Sequence, residues 1–142
     1  MMLFSLLLLG CEGPTAPTEP APPPSPSPTL ADQVKGTFTG SLLRTPPDPT
    51  PSVNLSNYEI VVTKINDTRV RVAPASFSVS ATWEADLEVA VNGSTTYINF
   101  KPLAGAPATG NYVVVSGVGR FAYAYSVGPD TTHMEIFSGT RQ

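Results

Sequence analysis

The sequence predicts an all-β domain, and three observations support that prediction. From about residue 30 to residue 142, short runs of alternating apolar and polar residues recur, as in strands with one buried face. Turn residues separate these runs, most clearly at Asn92-Gly93, which is a strong hairpin signal. No long segment repeats its apolar residues at helical spacing, although one helical turn fits near Leu30–Val34. We therefore expect an antiparallel meander of about 8–9 strands, either a small closed barrel or a β-sandwich.

The alternation and the turn residues place each strand along the chain. The clearest alternation is in Ser76–Trp83, where apolar and hydroxyl side chains exchange at every position. A proline-rich loop at residues 46–51 follows the first strand, and Pro74 ends the third because proline cannot donate to a sheet ladder. In chain order, the expected strands are Lys35–Arg44, Asn57–Ile65, Arg69–Val72, Ser76–Trp83, Asp86–Val91, Thr95–Lys101, Tyr112–Ser116, Arg120–Ser126 and Thr132–Ser138.

The N-terminal segment has the features of an export signal. Residues 1–10 are apolar and lead directly to Cys11, the single cysteine. The run is too short to cross a bilayer, which needs about 20 helical residues, but it suits a signal peptide. Leu8-Leu9-Gly10-Cys11 resembles the lipobox of bacterial lipoproteins. The resemblance implies cleavage before Cys11 and its modification with a diacylglyceryl group and a further fatty acyl chain such as palmitate.

A proline-rich tether joins Cys11 to the domain. Residues 12–29 contain eight of the 16 prolines and no large apolar side chain. Such a segment forms neither helix nor sheet and extends as polyproline II over roughly 50 Å. We therefore divide the chain into a signal peptide (1–10), a lipidated cysteine with its tether (11–29) and a β-domain (30–142). Glu12 stands where some lipoproteins carry the Asp that retains them in the inner membrane, so the resemblance favours the outer membrane of the bacterial envelope.

Composition excludes several classes of function. A net charge of -3 argues against a phosphate-binding surface, so we expect no nucleic-acid partner. One cysteine and one histidine exclude an internal disulfide and a metal centre with several thiolate or imidazole ligands. No phosphate-binding glycine loop, nucleophile elbow or zinc-protease motif is present. We therefore expect no enzyme activity, catalytic residue, metal or cofactor.

Two pairs of polar residues have the spacing of a shared strand face. His133 and Glu135 are two apart on the last predicted strand, as are Asp86 and Glu88 on an earlier one. The alternation of Glu135 with Met134 and Ile136 predicts that this pair faces solvent. We expect the same of the other two carboxylates, rather than a glycosidase pair or a general base.

The domain resembles the calycin superfamily, small meander barrels that include the lipocalins. Gly36-Thr37-Phe38 lies in the first strand, where lipocalins carry Gly-x-Trp, and the loop at residues 46–51 follows where lipocalins place a loop over the barrel mouth. Arg141, near the end of the last strand, stands where lipocalins use an arginine to cover the conserved aromatic ring. The resemblance implies a closed barrel in which Arg141 stacks over Phe38.

Aromatic residues at alternating positions are candidates for a ligand cavity or for an ordinary core. One hypothesis is a membrane-anchored lipoprotein whose barrel binds a small apolar or amphipathic ligand. The alternative is a structural or interaction module whose core is filled and whose loops bind a protein or a polysaccharide. The residues that would line the cavity are Tyr58, Phe77, Trp83, Phe100, Phe121, Tyr123 and Tyr125.

Overall fold

The computed structural model describes residues 23–45, 51–76, 82–103, 108–126 and 134–142. One short helix precedes eight strands, so the all-β prediction is confirmed. The elements are α1 (Leu30–Val34), β1 (Gly36–Thr45), β2 (Val53–Asn66), β3 (Arg69–Pro74), β4 (Trp83–Asn92), β5 (Thr95–Pro102), β6 (Ala108–Val115), β7 (Val118–Ser126) and β8 (Met134–Arg141).

The strands form a closed antiparallel meander. Each strand pairs with the next, and β8 pairs with β1, so the ring is complete. Glycines with positive φ lie in two of the tight turns: Gly93 (φ 61°) between β4 and β5, and Gly117 (φ 79°) between β6 and β7. Glycine adopts this backbone conformation without the steric cost of a Cβ atom. Closure leaves neither β1 nor β8 as a free edge.

Helix α1 packs against the end of the barrel where β2 turns into β3. Thr29 and Asp32 form a capping box at its N-terminus. Ala31 and Val34 are fully buried in the core, and the Ala31 N–H donates to the Asp67 carbonyl at 3.1 Å. Asp32 also accepts from Lys64 of β2 at 2.9 Å. We call this the α1 end of the barrel, and the end where β1 finishes and β8 begins the opposite end.

Glycines in the strands make room for aromatic rings inside the barrel. A Cβ atom on Gly119 would lie 2.6 Å from the Tyr112 hydroxyl oxygen, and one on Gly139 would lie 2.6 Å from the Phe137 ring. Both distances are too short for a real contact, so each ring occupies the space that a larger residue would need. The large interior side chains therefore depend on small ones in the neighbouring strands.

Several predicted strand bounds differ from the structure; β6, for example, begins at Ala108 rather than Tyr112, and β8 ends at Arg141 rather than Ser138. Strand β2 begins at Val53 rather than Asn57, because Asn57 is the left-handed residue (φ 56°) of a β-bulge and not a turn before the strand. Strand β4 begins at Trp83 and runs on to Asn92, which makes one strand where the alternation predicted parts of two. The predicted strand Ser76–Trp83 falls largely on residues 77–81, outside the described residues.

Paired charges cover the outer side of β3 and β4, which we call the charged face (Arg69, Arg71, Glu84 and Asp86). The side chains of Arg69 and Asp86 approach to 2.7 Å, as do those of Arg71 and Glu84. Each pair joins residues in register across the two strands. The predicted outward orientation of Asp86 is confirmed, and so is that of Glu88. Among the residues that the structure describes, no helix is long and apolar enough to span a bilayer.

Candidate functional site

Six of the seven predicted cavity-lining residues lie in one interior cluster. Trp83, Phe100, Phe121 and Tyr123 are buried, and the partly buried Tyr58 and Tyr125 pack against them. They come from β2, β4, β5 and β7, whose inward faces meet inside the ring. The seventh, Phe77, lies outside the described residues.

The rings of this cluster touch one another. The ring centroids of Phe100 and Phe121 are 4.8 Å apart at an interplanar angle of 78°, and those of Trp83 and Tyr123 are 5.2 Å apart. Phe137 stacks on Tyr123 at 5.6 Å and 21°. These are the edge-to-face and offset geometries that aromatic pairs prefer in protein cores. Aromatic side chains therefore occupy the space between these strands.

Arg141 covers the cluster at the α1 end. Its guanidinium carbon lies 5.4 Å from the Phe38 ring centroid and 5.2 Å from that of Tyr112, within cation–π range. The same guanidinium donates to the backbone carbonyl of Gln33 at 2.5 Å and of Lys35 at 3.1 Å. Phe38 and Arg141 are also register partners across the β1–β8 seam. The contact that the calycin resemblance implies for this pair is present.

The predicted solvent exposure of Glu135 is wrong. Glu135 is 1% exposed and points into the barrel, whereas Ile136 is 41% exposed on the outside. Glu135 and Phe137 are two residues apart, so they share the inward face of β8. The alternation of Met134 and Ile136 predicts the correct period of two, but it assigns Glu135 to the wrong face of the sheet. His133 lies outside the described residues.

Glu135 has a cation and aromatic hydroxyl groups around it. The Arg44 Nε lies 3.3 Å from a Glu135 carboxylate oxygen, and the two residues are in register across β1 and β8. Burial raises the pKa of Tyr123 well above its usual range, and the nearby Glu135 carboxylate and Tyr58 add to that rise. The Tyr123 hydroxyl therefore stays protonated and neutral beside the carboxylate. The sequence pattern did not predict this ion pair, because the alternation placed Glu135 on the outer face.

A second feature lies outside the barrel, on the outer side of β4 to β8. A concavity of about 660 Å³ runs across these strands. We call it the outer groove and define it by its outward-facing lining residues, which are Glu88, Asn99, Lys101, Thr109, Asn111, Ala122, Ala124, Ile136 and Ser138. All of these residues alternate with inward-facing residues, and they share the outer face of the sheet. Phe100, Gly110, Tyr123 and Phe137, which lie between them on the same strands, also line the groove.

The register of the strands brings the groove residues into one row. Glu88 pairs with Asn99, which is followed across the sheet by Asn111, Ala122 and Ser138 on successive strands. The alanines of β7 form a low floor between longer side chains on the neighbouring strands. The sequence pattern does not reveal this row, since its members are scattered over fifty residues and each is of a residue type common on the outer face of a sheet.

Four polar side chains of the groove make no side-chain hydrogen bond within the part of the chain that the structure describes. Among the side-chain hydrogen bonds of the described residues, none involves Asn99, Thr109, Asn111 or Ser138. Their amide and hydroxyl groups therefore depend on solvent or on a bound molecule for their hydrogen bonds. The Glu88 carboxylate, by contrast, pairs with Lys101 at 2.6 Å.

The described residues contain no group of three or more His, Cys, Asp and Glu side chains that would hold a metal ion. Two sites remain as candidates: the aromatic interior with its Arg44–Glu135 pair, and the outer groove. Cys11, the predicted lipidation site, lies outside the described residues. The chain matches no protein-family model, no curated protein and no solved structure.

Proposed function

We propose that this chain is a lipid-anchored module of the bacterial cell envelope, whose filled barrel recognises an envelope partner through its outer surface. One observation carries the choice between the two hypotheses: the interior aromatic rings contact one another, at centroid distances of 4.8 to 6.4 Å. A ring in contact with other rings has already lost its water, so a ligand gains little by displacing it.

The proposed anchor is Cys11, with residues 12–29 as the tether that holds the barrel away from the lipid. The sequence around Leu8-Leu9-Gly10-Cys11 supports this part of the proposal, and the outer membrane is the proposed location. On this reading the barrel is similar to calycins in its architecture and in the Arg141–Phe38 contact, but not in a ligand-binding interior.

The filled interior can be tested with an apolar fluorescent dye and Trp83, the single tryptophan of the chain. The buried residues lie between Ala31 and Phe137, so a protein starting at residue 23 retains everything that the described core needs. We expect no saturable dye binding and no quenching of Trp83 in this protein. Saturable binding with quenching of Trp83 would favour the small-ligand hypothesis, which until then stays a prediction.

Phe121→Ala provides the positive control for that titration. Phe121 is buried and contacts the rings of Phe38, Phe100 and Tyr123, so its truncation leaves a cavity at the centre of the cluster. Such a cavity costs about 3–5 kcal/mol of stability and accepts small apolar molecules. The dye used in both titrations must therefore be about the size of one phenyl ring, and we expect this variant to bind it where the parent protein does not.

The anchor is tested separately with the full chain produced in a bacterium fed labelled palmitate. We expect the label and the protein together in the outer-membrane fraction. Cys11→Ser removes the acceptor sulfur and should abolish the label. Label that persists in Cys11→Ser, or its absence from the parent chain, contradicts the proposed anchor.

A further inference from the structure

Two parts of the outer surface of the barrel differ in their chemistry. On the charged face, Arg69 and Arg71 each have a carboxylate partner at 2.7 Å, so its strongest polar groups are satisfied within the protein. In the outer groove, Asn99, Thr109, Asn111 and Ser138 make no side-chain hydrogen bond to another described residue. The groove therefore combines a concave surface with hydrogen-bonding capacity that the described residues do not use.

We infer that the outer groove binds a neutral polysaccharide chain, an inference that rests on the proposed function and identifies its partner. The Asn99 and Asn111 side chains each offer two N–H donors and a carbonyl acceptor, and the hydroxyls of Thr109 and Ser138 can donate or accept. Sugar hydroxyl and acetamido groups have the same mixed capacity. The two sets of groups can therefore satisfy each other without a charge on either side.

The charge of the groove favours a neutral ligand over an ionic one. Its two ionised side chains, Glu88 and Lys101, neutralise each other at 2.6 Å. An anionic polymer would have to displace Glu88 from Lys101, and a cationic polymer would have to displace Lys101 from Glu88. Neither polymer therefore finds a free counter-charge in the groove. Nucleic acid and acidic polysaccharides are therefore poorer occupants of this site.

The shape of the groove suits an extended chain of flat rings. The row from Glu88 to Ser138 crosses five strands, which at the usual strand spacing is about 19 Å. Along β7, Ala122 and Ala124 keep the floor low, while Asn111 and Ser138 stand on either side in the neighbouring strands. A sugar ring lying on the alanines would place its hydroxyl groups beside these two side chains.

The test is a calorimetric titration of the protein from residue 23 with two neutral hexasaccharides, one of glucose and one of N-acetylglucosamine. We expect saturable binding of at least one. Asn99→Ala and Asn111→Ala should each weaken it about tenfold, the effect of losing one or two useful hydrogen bonds. Ala122→Leu raises the floor without entering the core and should weaken binding by a similar factor.

Asn54→Ala is the matched control, because Asn54 is an exposed asparagine on β2, away from the groove. It should leave the affinity unchanged. Binding of neither hexasaccharide overturns the inference, as does binding that Asn99→Ala, Asn111→Ala and Ala122→Leu all leave unchanged. Hexasaccharide binding that is lost in Arg71→Ala but unchanged in the three groove variants would place the site on the charged face, and it also overturns the inference. None of these results bears on the dye titration or the palmitate labelling, so the proposed function would stand or fall separately.

Discussion

An arginine reaches into the barrel at each end, but the two arginines have partners of different kinds. At the α1 end, Arg141 lies over the neutral rings of Phe38 and Tyr112 and donates to backbone carbonyls of the α1 region. At the opposite end, Arg44 pairs with Glu135, a buried carboxylate. Removing Arg141 therefore leaves neutral groups behind, whereas removing Arg44 leaves a buried charge without its cation. We therefore expect the loss of Arg44 to reduce the free energy of unfolding more than the loss of Arg141 does.

The largest expected effect is that of Arg44→Met. Breaking a buried ion pair from one side costs about 3 kcal/mol or more, because the remaining charge stays desolvated. We expect a loss of that size in the free energy of unfolding, measured by urea denaturation.

The double variant Arg44→Met/Glu135→Leu separates charge from packing. It replaces the pair with apolar side chains, which often costs little in a buried site. We expect it to recover most of the stability lost in Arg44→Met. If the double variant is as unstable as the single one, packing of Arg44 rather than its charge stabilises that end.

A smaller effect is expected at the α1 end, from Arg141→Met. Methionine keeps an apolar chain over the rings but loses the cation–π contacts and the hydrogen bonds to Gln33 and Lys35, together about 2 kcal/mol. Arg120→Met, an exposed arginine on the outside of β7, is the control and should change stability by less than about 0.5 kcal/mol. Equal losses in the two variants would show that Arg141 has no special role in closing the barrel.

The smallest expected effect concerns the acid sensitivity of the α1 end. Hydrogen bonds from Lys35, Thr29 and Lys64 hold the pKa of Asp32 well below its ordinary value. A lowered carboxyl pKa in the folded state stabilises the protein above about pH 4, and that contribution is lost as pH falls toward the folded-state pKa.

Asp32→Asn should therefore lower the melting temperature slightly at neutral pH and should make it fall less steeply in acid. Glu88→Gln, which removes a carboxylate from the outer groove, is the control and should keep the parent's acid dependence. If the melting temperature of Asp32→Asn falls in acid as steeply as that of the parent protein, the contacts of α1 with Lys64 do not stabilise this end.

The error at Glu135 shows where sequence reasoning was inconsistent. The calycin resemblance implied that Arg141 points inward, against Phe38. Counting back from Arg141 by twos along the same strand places Gly139, Phe137 and Glu135 on that inward face. The local alternation of Met134 and Ile136 predicts the opposite face for Glu135, and that prediction is wrong. A residue with a long-range contact is thus a better guide to the inward face than the hydropathy of two neighbours.

Asn57 shows a second limit of the pattern. Its left-handed backbone conformation belongs to a β-bulge in β2. After the bulge Tyr58 pairs with Gly40, and before it Leu55 pairs with Leu42. A bulge inserts one residue and so reverses the alternation on either side of it. The sequence shows only an asparagine at the edge of a clear run, which is equally typical of a turn.

The all-β class, the hairpin at Asn92-Gly93, the turn of helix before the first strand and most of the interior aromatic residues, though not Tyr112 or Phe137, follow from the sequence alone. These are local properties, set by alternation within a strand and by residues that accept unusual backbone angles. Long-range strand pairing is needed to show that β8 closes on β1, that Glu135 faces inward and that Asn99 and Asn111 lie side by side. A period of two is unchanged when a strand is turned over, so pairing with distant strands must choose the face. Register then places residues far apart in the chain next to one another.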